Sequence, residues 1–296
     1  MTAKIELVDG NWIGSFQGKK IVKSYDQTRV VKMMAKAGYK NAPIIGEDVS
    51  KTEEEDTQSQ WPINQRFDFL TQLVNMIGKN TAVSLIVTGP GGLGKTHTVR
   101  SALEACGLKD ASGFDAEQPH NSYRMIKGYS TAKGLYRELF MNKDSVIVFD
   151  DCDDVLKDAT ALNLLKGALD SYDKRIVNWN ADIKDDDLPR SFQFNGRVVF
   201  ISNMGRNKMD TALKTRAYCV DLAMNLAQKL ERMQTLAADT EFMPRFSKTH
   251  KQDALQLIQE LGPRAKEVSL RTLQAVTRIR AAGGNWRQLA EYTLTN

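Results

Sequence analysis

The sequence contains little cysteine and histidine, and it has no long apolar run. Its 296 residues include three cysteines and three histidines. Cys106, Cys152 and Cys219 lie far apart without a CxxC pair, so we expect buried, reduced thiols in a cytoplasmic protein rather than a disulfide framework. The histidines have no regular spacing, which argues against a zinc site. No run of 18 apolar residues is present and the N-terminal MTAKIELVDGNW lacks an apolar signal core, so we expect no membrane association.

The charge of the chain is mildly positive. Lysine and arginine outnumber aspartate and glutamate by 41 to 36, which gives a formal net charge of +5. This excess permits contact with nucleic acid but does not by itself indicate it. The 42% of hydrophobic residues is ordinary for a globular chain, and the length suffices for one large or two small domains.

The patterns along the chain predict four segments. Residues 1–45 contain two strand-like runs followed by a helix-like run, which predicts a small αβ unit. Residues 46–60, GEDVSKTEEEDTQSQ, are acidic and without periodicity, which predicts a linker. Residues 61–221 are predicted to be an α/β nucleotide-binding domain, and residues 222–296 a helical C-terminal domain.

The third segment alternates strand-like and helix-like runs. Apolar strand patterns recur at AVSLIVTG, SYRMIKG, DSVIVFD, GRVVFISN and AYCVDL, and helical patterns separate them. This alternation predicts an α/β fold in which helices cover both faces of a mostly parallel sheet. In the fourth segment the strand patterns stop, and LAMNLAQKLERMQTLAA, KQDALQLIQELG and SLRTLQAVTRIRAAG are all helical in pattern.

A glycine-rich motif follows the first of these strands. Residues 89–96, GPGGLGKT, satisfy G-x-x-x-x-G-K-[ST] and lead from an apolar strand into a helix, as this motif requires. Such a loop surrounds nucleotide phosphates with backbone N–H groups, while its lysine reaches the outer oxygens and its hydroxyl ligates Mg²⁺. The alternative is a plain glycine-rich turn with a surface lysine. The predicted nucleotide-binding residues are Gly89, Pro90, Gly91, Gly92, Leu93, Gly94, Lys95, Thr96 and His97.

Acidic residues follow a second buried strand. SVIVFD ends at Asp150, which we predict to hold Mg²⁺ together with Thr96. Asp151 comes next and is predicted to act on the attacking water. The alternative is that Asp151, like Asp153 and Asp154, belongs to the solvated start of a helix.

Two short motifs match the signature of GTPases but lie in the wrong context. NKMD at 207–210 matches N-K-x-D, yet it does not directly follow an apolar strand. DASG at 110–113 matches D-x-x-G, yet it comes soon after the phosphate loop and ends no strand. Because both motifs lack their required context, we predict ATP rather than GTP.

The order of the remaining motifs resembles that of the AAA+ ATPases. RVVFISN is an apolar strand that ends in Asn203, like their sensor-1 strand, whose polar tip orients the attacking water. MDTALKTRAYCVDL resembles the segment that carries their arginine finger, here Arg216, and SLRTLQAV resembles their sensor-2 helix, which adds Arg271 to the nucleotide-binding residues. For each arginine the alternative is a surface charge or a structural ion pair. The implied catalytic residues are Lys95, Asp150, Asp151, Asn203 and Arg216.

This resemblance extends over about residues 62–292 and implies a P-loop AAA+ core, with a parallel sheet flanked by helices, followed by an all-helical lid domain. It implies ATP and Mg²⁺ as cofactors and a homo-oligomer, commonly a hexameric ring, because Arg216 would act in the neighbouring subunit. The chain departs from the family at Asp151, where glutamate is usual, and at Pro-Gly-Gly-Leu in the phosphate loop. Its compact layout is similar to that of stand-alone AAA+ proteins of tailed bacteriophages.

Three functions remain open at this point. The first is a ring ATPase that remodels a protein or nucleic-acid complex. The second is a helicase or helicase loader that depends on DNA or RNA. The third is an assembly protein that binds ATP but hydrolyses it poorly, which Asp151 permits. A P-loop kinase is a more remote fourth.

Two segments are candidates for contact with a substrate. In KGYSTAKGLY, residues 127–136, Tyr129 or Tyr136 could face a pore, although the spacing of Tyr136 favours core packing. In residues 170–194, the cluster of Lys174, Arg175 and Trp179 is suited to single-stranded nucleic acid, and the alternative is a hairpin whose tryptophan is covered.

Overall fold

A computed structural model of the chain describes residues 3–8, 11–17, 19–24, 27–39, 44–45, 59–113, 121–128, 131–180 and 188–296. The chain forms two compact units, Met1–Gln58 and Ser59–Asn296. The predicted linker at 46–60 lies almost wholly outside the described residues, and the three boundaries between the four predicted segments stay predictions.

The first unit is a small sheet with one helix. Strands β1 (Ala3–Val8), β2 (Asn11–Phe16) and β3 (Lys19–Ser24) form an antiparallel meander, helix α1 (Gln27–Lys36) follows, and β4 (Ile44–Ile45) pairs in parallel with β1. Ile5, Val22, Val30 and Met34 form the core between sheet and helix. The helix approaches closely at Gly14, where an added Cβ would lie 2.6 Å from Met34 Cγ.

The second unit contains a six-stranded parallel sheet. Its order is β12-β5-β11-β8-β7-β6. The strands are β5 (Ser84–Thr88), β6 (Lys109–Asp110), β7 (Ser122–Lys127), β8 (Val146–Asp150), β11 (Arg197–Ile201) and β12 (Tyr218–Asp221). Strands β9 (Ile176–Asn178) and β10 (Ser191–Gln193) form a separate antiparallel hairpin. The central strands are nearly continuous apolar runs because both faces of the sheet are covered.

Helices cover both faces of this sheet. They are α2 (Ile63–Gly78), α3 (Lys95–Ala105), α4 (Ala132–Met141), α5 (Ala159–Ala168) and the short α6 (Thr211–Lys214). Alternate residues of each strand enter different cores: Leu85 and Val148 pack in the cluster with α2 and α3, whereas Ile86 and Phe149 pack in the cluster with α4 and α5. The sheet therefore separates two apolar layers, as in an α/β sandwich of three layers.

The C-terminal part is helical and has its own core. Helices α7 (Leu226–Ala238), α8 (Lys248–Leu261), α9 (Leu270–Ala282) and α10 (Trp286–Thr295) pack around a cluster that includes Ile258 and Leu273. The predicted fold class, a P-loop α/β core with a parallel sheet followed by an all-helical domain, is confirmed.

The burial of the cysteines agrees with the prediction for one of the three thiols. Cys152 is buried, but Cys106 and Cys219 are only half-buried, so the prediction of three buried thiols was wrong for two of them. Among the described residues, no helix is both long enough and apolar enough to cross a membrane.

Candidate functional site

The phosphate loop lies at the carboxyl end of β5 and leads into α3. Gly89, Gly92 and Gly94 have positive φ angles of 134°, 72° and 92°, which are costly for residues that carry a Cβ. At Gly89 an added Cβ would also lie 2.8 Å from the carbonyl carbon of Leu222. The glycines of the motif are therefore required by the conformation of the loop and by the strand end packed against it.

Lys95 is the first residue of α3 and is 5% exposed. Its Nζ donates to the carbonyl oxygens of Gly89 at 2.5 Å and Pro90 at 2.8 Å, and to Asn203 Oδ1 at 3.0 Å. Burial lowers the pKa of this ammonium from its ordinary 10.5 to about 8, and the negative charge of nearby Asp150 partly opposes the shift. The side chain is thus held inside the loop, where an anionic ligand would stabilise its charged form.

Thr96 and Asp150 bring two oxygen-bearing side chains together. The Thr96 hydroxyl donates to Asp150 Oδ1 at 3.0 Å, which joins the start of α3 to the end of β8. A hydroxyl and a carboxylate are hard ligands of the kind that Mg²⁺ uses, with phosphate oxygens and water completing its shell. In the part of the chain that the structure describes, no group of three or more His, Cys, Asp or Glu side chains could hold a metal. The pair therefore fits a Mg²⁺ ion that also binds a nucleotide.

Asn203 lies at the tip of β11, which pairs with β5 on one side and β8 on the other. Its Oδ1 accepts from Lys95, and its Nδ2 donates to Asp151 Oδ1 at 2.5 Å. Asp151 has a positive φ of 61°, and its backbone N–H donates to the Ile201 oxygen at 3.0 Å. Since the next helix begins only at Ala159, Asp151 does not lie at a helix start, as the alternative interpretation required.

The helical domain contributes to the same site through the start of α9. The backbone N–H of Leu270 donates to the Gly92 oxygen at 2.9 Å, and Arg271 follows it at the rim. Together the loop, the strand ends and the helical domain enclose a cavity of about 700 Å³. It brings together these predicted residues: Gly91, Gly92, Leu93, Gly94, Lys95, Thr96, His97, Asp150, Asp151, Asn203 and Arg271.

Three predicted residues do not line this cavity. Gly89 and Pro90 still contact it through their carbonyl oxygens, which accept from Lys95, whereas Arg216 lies away from it. The carbonyl oxygen of Arg216 accepts from the hydroxyl of Ser84, the first residue of β5, whereas the phosphate loop follows the last residue of that strand. The two ends of a five-residue strand are about 13 Å apart. Arg216 Nη1 donates to the Ala212 oxygen at 3.1 Å, and its Nε is buried without a hydrogen-bond partner. Arg216 therefore does not reach this cavity within its own chain.

Several residues of the cavity were missed by the sequence analysis. Lys127 Nζ lies 3.3 Å from Asp150 Oδ2. Arg232 of α7 lines the cavity, and its guanidinium lies 3.9 Å from the ring centroid of Phe67. Phe242 lines the cavity too, and its carbonyl oxygen accepts from the buried Lys251 at 3.0 Å. The position of Lys127 at the end of an apolar strand was a usable signal, but the other contacts have no pattern in the sequence.

In the first candidate substrate segment, residues 127–136, Tyr136 does not face a pore. Tyr136 is 1% exposed and its hydroxyl donates to the Pro189 oxygen at 2.7 Å, so it packs in the core; Tyr129 lies outside the described residues.

In the second segment, Arg175 is buried and its guanidinium lies 5.3 Å from the centroid of the Phe194 ring. Trp179 is half-buried, with its ring 5.5 Å from that of Tyr136. Of the three clustered residues only Lys174 is exposed, which favours the hairpin with a covered tryptophan.

The fold and the site define the class of protein. A parallel sheet carries the phosphate loop on β5, the acidic residues on β8 and a polar tip on β11 between them, and a helical domain meets the loop. This is the arrangement of a P-loop α/β fold followed by a helical domain, and it agrees with the resemblance of the motifs to the AAA+ ATPases.

A similar protein is known from a bacteriophage. The chain is 28% identical over 264 residues to an uncharacterised 36.7 kDa protein from the nrdC–mobD intergenic region of Enterobacteria phage T4. The matched region covers 83% of this chain and 78% of that protein. Two crystal structures of NtrX from Brucella abortus, in complex with ADP and with ATP, match at 13% identity and a TM-score of 0.44 over 85% of this chain. The chain spans 64% of their length. No protein-family model matches the chain.

Proposed function

We propose that the protein binds ATP with Mg²⁺ and hydrolyses it in a homo-oligomeric ring, with six subunits as the expected number, to remodel a protein or nucleic-acid complex in the cytoplasm. The observation that carries the proposal is that the predicted residues lie in two places. One cavity contains Lys95, Thr96, Asp150, Asn203 and Arg271, whereas Arg216 lies near the amino ends of the strands. A complete site would therefore need an arginine from a second subunit.

The residues of the cavity have complementary roles in this proposal. The backbone N–H groups of the loop and the Lys95 ammonium bind the phosphates, because they are the donors and the charge that a polyphosphate requires. Thr96 and Asp150 hold Mg²⁺, which neutralises charge on the phosphate oxygens when bound. Asn203 and Asp151 orient the attacking water and accept its proton, and Arg271 adds positive charge from the helical domain.

The phosphate loop is tested by replacing Lys95 with alanine. Loss of the ammonium should abolish nucleotide binding, measured by calorimetry with ADP and with ATP. Unchanged affinity would refute this part of the proposal.

The shared site is tested by mixing two variants. Arg216→Ala should bind ATP nearly normally and not hydrolyse it, and Asp151→Ala should also be inactive. Mixed subunits should regain some turnover, because an intact acid and an intact arginine then meet at some interfaces. Failure of the mixture while rings form would show that Arg216 is not the second half of the site.

Assembly and substrate class are tested together by measuring ATPase activity per subunit against protein concentration, with and without single-stranded DNA. A rise of the activity per subunit with protein concentration indicates that activity depends on assembly. Stimulation by DNA favours the helicase or loader alternative. The alternative of an ATP-gated assembly protein is favoured if Asp151→Ala loses no activity while assembly still requires ATP, since Asp151 is shorter than the usual glutamate.

A further inference from the structure

The end of β7 brings a lysine to the candidate metal ligand. In the parallel register of β7 and β8, Lys127 is paired with Asp150, and both residues end their strands. The Lys127 ammonium lies 3.3 Å from Asp150 Oδ2, while Thr96 donates to Oδ1 of the same carboxylate. Each carboxylate oxygen of Asp150 thus has its own partner, one of which is a cation.

Lys127 is exposed to solvent, whereas its partner Asp150 is largely buried. The side chain of Lys127 is 63% exposed, whereas that of Asp150 is 11% exposed and is held by Thr96. The neighbouring acids are engaged elsewhere: Asp151 accepts from Asn203, and Asp153 accepts from the Ser202 hydroxyl. A long exposed lysine can therefore leave Asp150 by rotating into solvent, whereas Asp150 cannot follow it.

Mg²⁺ and the Lys127 ammonium would both bind the carboxylate of Asp150. A divalent ion between Thr96 and Asp150 needs electron density from the carboxylate, and a cation within about 4 Å both withdraws that density and repels the ion. The metal ion and the ammonium therefore compete for one carboxylate. The free energy of Mg²⁺ binding then includes the cost of breaking the ion pair between Lys127 and Asp150.

We propose that Lys127 sets the Mg²⁺ concentration at which the site loads, by occupying Asp150 until the metal displaces it. The proposal rests on nucleotide and Mg²⁺ binding in the cavity, as proposed above, and adds a residue that acts against the metal rather than for it. Lys127 is here a positioning residue that acts through Asp150. Its effect should weaken as ionic strength rises, because one partner of the pair is exposed to screening.

The test is a Mg²⁺ titration of nucleotide binding. A fluorescent ADP derivative is bound to the full-length protein at low ionic strength, first in EDTA and then at increasing Mg²⁺, in wild type, Lys127→Met and Lys127→Arg. The matched control is Lys157→Met, since Lys157 is 61% exposed and forms an ion pair with Asp154 outside the cavity.

Removal of the charge in Lys127→Met should lower the half-saturating Mg²⁺ concentration by about three- to fivefold, the size expected for an ion pair with one exposed partner. Lys127→Arg and Lys157→Met should stay within about twofold of wild type, and affinity in EDTA should be unchanged in all four proteins.

Two results would overturn the proposal. An unchanged Mg²⁺ midpoint in Lys127→Met would show that the ion pair does not oppose the metal. Weaker ADP binding by Lys127→Met in EDTA would show that Lys127 contacts the phosphates instead. If wild type binds the ADP derivative at no Mg²⁺ concentration, the proposed function fails as a whole, and that outcome is distinct from both.

Discussion

Replacing Lys95 with methionine should remove a pH dependence from the stability of the fold. Lys95 is 5% exposed, and its burial lowers its pKa from 10.5 to about 8. Below pH 8 the ammonium is charged in both the folded and the unfolded chain, and the folded state bears the cost of burying it. Above pH 10.5 both forms are neutral and the cost is gone. Between these values the unfolded chain binds more protons, so stability should rise with pH.

The size of the effect follows from the shift. Each pKa unit corresponds to 1.36 kcal/mol, so the free energy of unfolding of wild type should gain about 3 kcal/mol between pH 7.5 and 11 from this lysine alone. Methionine has a similar length and no charge, so the variant lacks this gain. It also loses the three hydrogen bonds of the ammonium, but that loss is largely independent of pH below 8.

The assay is urea denaturation followed by tryptophan fluorescence, without nucleotide, at several pH values. Other groups also titrate at high pH: burial raises the pKa of the Cys152 thiol to about 11, which lowers stability as the unfolded thiol ionises. The quantity to compare is therefore the difference between wild type and variant, with Lys157→Met as the control for loss of one exposed charge. A difference that stays constant within about 0.5 kcal/mol from pH 7.5 to 10.5 would refute the reasoning.

Three further predictions concern single residues of the site. Gly89→Ala should lose nucleotide binding and unfold more easily than Gly107→Ala, because both have positive φ but only Gly89 has a backbone neighbour, Leu222, at 2.8 Å; the strain alone should cost about 1 kcal/mol. Arg271→Gln should weaken ATP binding by about tenfold in calorimetry and leave the melting temperature unchanged, because the side chain is exposed. Asn203→Ala should slow ATP turnover far more than it weakens ATP binding, and equal losses in kcat and affinity would contradict its role with the attacking water.

The large elements could be predicted because their patterns are long. Strands such as β8 are buried on both faces, and their continuous apolar runs are visible in the sequence. Strands β6, β9 and β10 have two or three residues each, which is too short to show a period. Strand β6 was not predicted, and the hairpin of β9 and β10 was only one of two alternatives for residues 170–194. Their positions depend on pairing with distant segments of the chain.

The site was predictable where its residues end a strand or directly follow one, as Asp150 and Asp151 do. Lys127 also ends a strand, but its contact with Asp150, like the contacts of Arg232, was missed for a different reason. Lys127 meets Asp150 through the register of two strands, and Arg232 meets Asn64 and Phe67 from a helix more than 160 residues away in the chain. Such contacts arise from tertiary packing, which a local pattern does not record. The roles assigned to the site residues stay predictions until the variants are measured.

The unusual aspartate at position 151 can be understood from its backbone. Aspartate is one methylene shorter than glutamate, so its carboxylate reaches less far from the end of the strand. Here the positive φ of 61° turns Asp151 back toward β11, where its N–H donates to Ile201 and its carboxylate meets Asn203. Asn203 in turn accepts from Lys95, so acid, amide and ammonium form one continuous chain of hydrogen bonds. Because aspartate tolerates positive φ better than glutamate does, the short acid and the turned backbone belong together. The substitution is therefore compatible with an active site, provided that the attacking water lies close to the tip of β11.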